Sequence, residues 1–214
     1  MNDGTVDDDV PVPTFGSLFE RAAAYDVKES DIRPALADRR TSEERSAAGR
    51  ESAAPPDEPR DRSPARVVAD ADVLAADLFV GGAAREALDH LRRHSWTTLV
   101  ASDPLLDDAT AIIEALADAD LASDWRRRVD AWREPVVHPV DDHPALASAY
   151  RGGAMQVVSS DPGLTGPGAA AGLQDTMPVS VREPRAFATV FLPERLHPEV
   201  VGGEYPGPDR DPRS

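Results

Sequence analysis

The chain has 214 residues, carries 39 acidic against 23 basic side chains for a net charge of −16, and contains no cysteine. That length suits one sizeable domain with extra segments. The missing cysteines exclude disulfides, thiolate zinc sites and a cysteine nucleophile, and no apolar run is long enough to cross a bilayer.

Lys28 is the only lysine, and aspartate outnumbers glutamate about two to one. Such a surface is expected of a halophilic, archaeal, cytoplasmic protein, where salt screens the repulsion among carboxylates. At molar salt the Debye length is about 3 Å. Local arginines can then hold a phosphate even though the overall charge would repel nucleic acid in dilute buffer.

Residues 1–13 read as an acidic, disordered leader. Over 14–37 a short helical hairpin is expected. Phe15, Leu18, Phe19, Ala22 and Ala23 recur at helical spacing, Tyr25-Asp26-Val27 breaks the run, and a second short helix opens near Ser30 and reaches Leu36. Too small to hold a core alone, the hairpin is expected to dock on the main domain or on a partner. Residues 38–65 mix both charge signs with Pro, Ser and Ala and read as a disordered linker, and 201–214 read as a disordered tail.

Between them, over 66–200, strands alternate with helices. Strands are expected at 67–69, 97–101, 135–137, 155–158 and 178–181, and helices at 82–93, 104–116, 121–132, 143–152 and 184–191. Ser102 or Asp103 suits an N-cap, with Pro104 in the first turn. This order predicts an α/β fold: a three-layer α/β/α sandwich around a central, mostly parallel sheet of about four to five strands.

In open α/β sheets, ligands sit beyond the carboxyl ends of the strands. Here the first strand runs into Asp70-Ala71-Asp72. The second runs into Ser102-Asp103, with Asp107 and Asp108 one turn further on. The third is followed by Asp141-Asp142, and the fourth by Ser159-Ser160-Asp161. Converging carboxylates suit hard divalent cations such as Mg²⁺ or Mn²⁺, which take oxygen ligands. Aspartate is abundant here, however, and Asp103 and Asp141 read better as helix caps or surface charges.

These residues resemble the PIN domain family. The stretch 67–74 (VVADADVL) is similar to its opening strand, with Asp70 on the first acidic position and Asp72 on the adjacent polar one. The stretch 101–109 (ASDPLLDDA) resembles the second acidic site, where Asp108 fits best and Asp107 is the alternative. In 140–161 (VDDHPALASAYRGGAMQVVSSD) the resemblance places Asp142 as the third acid, Ser159 at the hydroxyl position and Asp161 as the fourth acid. The stretch 179–191 is similar to the closing strand and helix.

The resemblance spans about 66–195 and implies metal-dependent cleavage of phosphodiester bonds, with single-stranded RNA as substrate. Asp70, Asp108, Asp142 and Asp161 would hold Mg²⁺ or Mn²⁺, and Ser159 would orient a carboxylate or a metal-bound water. An antitoxin-like or other protein partner, engaged through 14–37, and a homodimer also enter as expectations. Three departures stand out: Asp rather than Glu at the second site, Pro162 directly after the last acid, and a long Gly-rich stretch over 163–175.

Two other enzymatic or binding readings compete. A degenerate PIN-like interaction module would keep the fold without the chemistry. A haloacid-dehalogenase-type phosphatase would use Asp70-Ala71-Asp72-Val73, but it needs a downstream lysine that this chain lacks. The helix around 124–134 offers Arg126, Arg127 and Arg128 beside Trp125 and Trp132 as a weak nucleic-acid contact. The blander reading buries Trp125, Val129 and Trp132 and leaves the arginines in solvent. His90, His94, His138, His143 and His197 show no metal-ligand spacing and read as structural.

Overall fold

The computed structural model describes residues 11–47, 59–137, 143–166 and 179–214. Five strands form one sheet: β1 (Ser63–Ala69), β2 (Thr98–Ser102), β3 (Glu134–Val136), β4 (Ala154–Val158) and β5 (Ser180–Arg182). Their order is β3-β2-β1-β4-β5, and every pair is parallel. The expected three-layer α/β arrangement is the one the chain adopts. Val67, Val68 and Ala69 of β1 are fully buried, as are Val157 and Val158 of β4. Central parallel strands carry such unbroken apolar runs because helices cover both of their faces.

After β1 come α3 (Ala71–Phe79) and α4 (Gly82–Arg92), after β2 come α5 (Asp103–Leu116) and α6 (Ala119–Asp130), and before β4 comes α7 (Pro144–Gly152). Helix α7 lies across β1, β2 and β4, while α3 packs on α4 and α5. The chain closes with a single turn, α8 (Pro162–Thr165), then α9 (Pro184–Val190) and α10 (Pro193–Val200).

Helix α3 was not legible as a helix, because every residue from Ala71 to Leu78 is buried. A helix buried all round shows no 3.6-residue stripe. The junction between α7 and β4 is built from two glycines. Gly153 sits at φ +65 as the helix cap, and a Cβ on Gly152 would fall 2.1 Å from Val100 Cγ1 of β2. Only a residue without a side chain lets α7 lie this close to the sheet.

Two expectations need correction at the termini. The N-terminal hairpin exists, as α1 (Phe15–Ala22) and α2 (Glu29–Ala47), but α2 runs ten residues past the expected end at 37. Residues 38–47 are therefore helix, not linker. The hairpin docks on the domain itself: Phe15, Leu18, Ile32 and Leu36 are buried, and α2 packs on α5 and α3. Residues 1–10, 48–58, 138–142 and 167–178 lie outside the described residues, and with them most of the leader, the middle of the expected linker and most of the Gly-rich stretch.

The second correction concerns the tail, which folds back on the domain. The Asp209 and Arg210 N–H groups donate to the Arg93 carbonyl at 3.0 and 3.2 Å, and Gly16 N–H donates to the Arg213 carbonyl at 2.9 Å. The tail has little to bury and is held instead by backbone bonds and by Arg213, whose Nη1 and Nη2 donate to the two Asp89 oxygens at 2.9 Å each. Beneath it lies a buried ionic knot. Arg92 forks onto both oxygens of Asp77, also reaches Asp89, and stacks over the Phe15 ring at 4.1 Å. This knot joins α1, α3, α4 and the tail.

Candidate functional site

In the order β3-β2-β1-β4-β5 the direction of winding reverses between β1 and β4. Connections leaving these neighbours diverge, and in open α/β sheets ligands bind beyond the carboxyl ends at such a point. Both strands deliver carboxylates there. Asp70 follows β1 and is the N-cap of α3, its Oδ1 accepting the Ala71 N–H at 2.8 Å. Asp161 follows β4 and caps α8, its Oδ1 accepting the Gly163 N–H at 2.8 Å. Pro162, a departure in the sequence, is thus the first residue of a short helix, where a missing N–H costs nothing.

Ser159 ties the two strand ends together. Its buried hydroxyl donates to Asp70 Oδ2 at 2.9 Å and accepts the Asp161 N–H at 3.1 Å. Asp72 turns into the same place, with Oδ2 accepting the Ser160 N–H at 3.1 Å and Oδ1 buried without a hydrogen-bond partner among the described residues. Its pKa is pushed up to about 7, first by burial and then by the neighbouring Asp70 charge, with Asp161 adding to it. Ionised carboxyls crowded in low dielectric favour protonation.

Asp108 comes from the second turn of α5 and is 1% exposed. It meets the other acids through one side chain of α2. The Arg40 guanidinium directs Nε to Asp108 Oδ2 at 3.4 Å, Nη2 to Asp70 Oδ1 at 3.5 Å and Nη1 toward Asp161 Oδ2 at 3.9 Å. Each nitrogen of the fork faces a different carboxylate. Arg39 adds a longer contact, its Nε 3.7 Å from Asp108 Oδ1. Arg33 Nη2 donates to the Ser160 carbonyl at 2.8 Å.

Three of the four acids named from the sequence are therefore brought together, and Asp142 lies outside the described residues, as does Asp141. Asp107 is not part of the cluster. It sits on the outer face of α5, 52% exposed, paired with Arg126. Neighbouring helical positions point about 100° apart, so only one of Asp107 and Asp108 can face inward. Asp103 is likewise a surface charge, 69% exposed and paired with Arg126 and Arg133.

The three arginines expected as a nucleic-acid contact are all engaged within the protein. Arg126 bridges Asp103, Asp107 and Asp130, Arg127 pairs with Asp124, and Arg128 donates to the Ser214 carbonyl and stacks on Phe15. Trp125 and Val129 are buried and Trp132 packs against the core, which is the blander pattern for that helix. His94 is a core histidine, bonded to the His90 carbonyl and the Tyr205 hydroxyl. No helix among the described residues is long and apolar enough to cross a membrane.

The donor set around Arg40 is all carboxylate oxygen, the chemistry that Mg²⁺ or Mn²⁺ selects. The spacing is set by the guanidinium. Among the described residues no group of three or more His, Asp or Glu side chains stands close enough to hold a metal ion. Metal ligation at about 2.1 Å would require Asp70, Asp108 and Asp161 to close in on the space that Arg40 now fills. Arg40 is not legible as a site residue in the sequence, because residues 38–40 sit in a stretch whose composition reads as linker.

The chain belongs to DUF7384, a family of unknown function whose pattern matches residues 61–213. That span takes in the sheet, the carboxylates and the folded tail, and it leaves α1 and α2 outside. No curated protein and no solved structure matches the chain.

Proposed function

We propose that this DUF7384 chain is a PIN-like, divalent-metal-dependent endoribonuclease that cleaves phosphodiester bonds of single-stranded RNA, with Mg²⁺ or Mn²⁺ as cofactor. One observation carries the reading. Asp70, Asp108 and Asp161, from three separate elements, converge on a single cationic group at the carboxyl edge where the sheet changes its winding. Asp142 would complete the set from the residues before α7. A bound ion there would lower the pKa of a water and offset charge on the phosphoryl oxygens.

The chain's own residues hold that arrangement. Ser159 fixes the Asp70 carboxylate through Oδ2, and its acceptor role pins the Asp161 backbone beside it. The N-terminal end of α3 adds partial positive charge behind Asp70. Asp72, its pKa pushed up to about 7, would be partly protonated near neutrality and would lighten the negative charge of the cluster. Lys28 lies in the α1–α2 turn, where its N–H is bonded to Asp31. No other lysine exists to balance a phosphoaspartate, which disfavours the phosphatase reading.

The second reading, an interaction module with a degenerate site, draws on the same guanidinium, since an ion pair with Arg40 needs no metal at all. Cleavage of a single-stranded RNA in molar KCl with Mn²⁺ separates the two. The nuclease reading expects wild-type cleavage, reduced at least ~100-fold in Asp70→Asn and in Asp161→Asn. Equal cleavage by all three proteins would remove the proposed mechanism.

A further inference from the structure

Helix α2 is held on the domain in two different ways. Its first half is anchored by apolar contact, through Ile32 and Leu36, which are buried. Arginines of the same helix add polar contacts: Arg33 donates to the Ser160 carbonyl, Arg39 lies near Asp108, and Arg40 stands among three carboxylates. All these contacts fall on the carboxyl edge of the sheet. The helix lies outside the span shared with the family, whereas the carboxylates lie inside it.

We propose that α2 is a plug built into the chain, in which Arg40 stands where a divalent cation would load, so that the cluster takes up metal only when α2 withdraws. This rests on the reading of the cluster as a metal centre. Two physical points favour the exchange. The guanidinium and a divalent ion carry like charge, so each disfavours the other within one set of carboxylates. The plane of the fork also keeps Asp70, Asp108 and Asp161 on separate edges, whereas ligands of one small ion must approach one another.

Plugged and loaded forms are then alternative states of one chain. The metal affinity measured on the whole protein is the intrinsic affinity reduced by the fraction of chains with α2 withdrawn. Buried carboxylates without any cation would repel, so the plug also stabilises the empty protein. Weakening the plug should therefore strengthen metal binding and lower the stability of the metal-free form together.

The test compares full-length wild type, Arg40→Gln and Arg33→Gln in molar KCl at neutral pH. Mn²⁺ binding is read by the paramagnetic resonance of the free ion, and opening of α2 by backbone hydrogen exchange over 33–42. Arg33→Gln loosens the helix without touching any carboxylate and serves if Arg40→Gln does not fold. The expected result is Mn²⁺ binding about tenfold tighter in Arg40→Gln and several-fold tighter in Arg33→Gln. Saturating Mn²⁺ should also speed exchange in α2 of the wild type.

Mn²⁺ bound with equal affinity by all three proteins, or bound with α2 exchange unchanged, would overturn the plug and leave the metal reading standing. Mn²⁺ bound by none of them would overturn both.

Discussion

Asp72→Asn isolates one buried charge beside the cluster. Asp72 is buried, its Oδ1 has no hydrogen-bond partner among the described residues, and burial plus the Asp70 charge raise its pKa from 3.8 to about 7. A raised carboxyl pKa means that the folded state binds the proton more tightly than the unfolded state. Between pH 4 and 7 the native chain therefore holds more protons, and stability falls as pH rises through that window. Above pH 7 both states are ionised and the loss is complete. At about 1.4 kcal/mol for each pH unit between the two titrations, a carboxyl moved from 3.8 to about 7 lowers stability by roughly 4 kcal/mol at its upper limit.

Asparagine has the same shape, and its carbonyl can accept the Ser160 N–H, but it carries no charge. The variant should match wild type near pH 4 and be more stable by ~2–4 kcal/mol at pH 8. Urea unfolding at a series of pH values in molar KCl measures the difference. Wild-type and variant curves that run parallel from pH 4 to 8 would refute the assignment of this pH dependence to Asp72. An Asn variant less stable than wild type at pH 8 would refute the sign.

Asp77→Ala removes the forked partner of the buried Arg92 guanidinium, leaving it Asp89 alone, and should cost about 3–5 kcal/mol by urea unfolding. Asp77→Leu combined with Arg92→Met should recover most of that loss, and a single-variant cost below about 1 kcal/mol would contradict the buried pair. Gly152→Ala puts a Cβ against Val100 and should cost about 1–3 kcal/mol. Adding Val100→Ala should make the double variant less than additive; strict additivity would argue against this close approach of α7 to β2.

Much of the fold was legible in the residues. Val67-Val68-Ala69 and Val157-Val158 announce central strands, since runs of apolar β-formers between turn residues have few other uses. The carboxylates were legible for a related reason. In a parallel sheet the residue after each strand lies at the ligand-binding edge, so Asp70 and Asp161 could be placed without coordinates. Asp108 could be chosen over Asp107 only by family resemblance, because helix phase decides which of two neighbours turns inward. Helix α3 stayed hidden through its uniform burial.

The alternation of strands and helices, and the acids at the strand ends, follow from near-neighbour periodicity and capping, which any stretch of chain carries within itself. What stands among those acids does not. Arg40 lies 30 and 68 positions from Asp70 and Asp108, in a segment whose charged, Pro- and Ala-rich composition offers almost nothing to bury. The folded tail follows the same logic, since Arg213 is held 124 positions away by Asp89. Such ionic contacts leave no local pattern, because a charge states only its sign and the assembled sheet alone determines which opposite charge it meets.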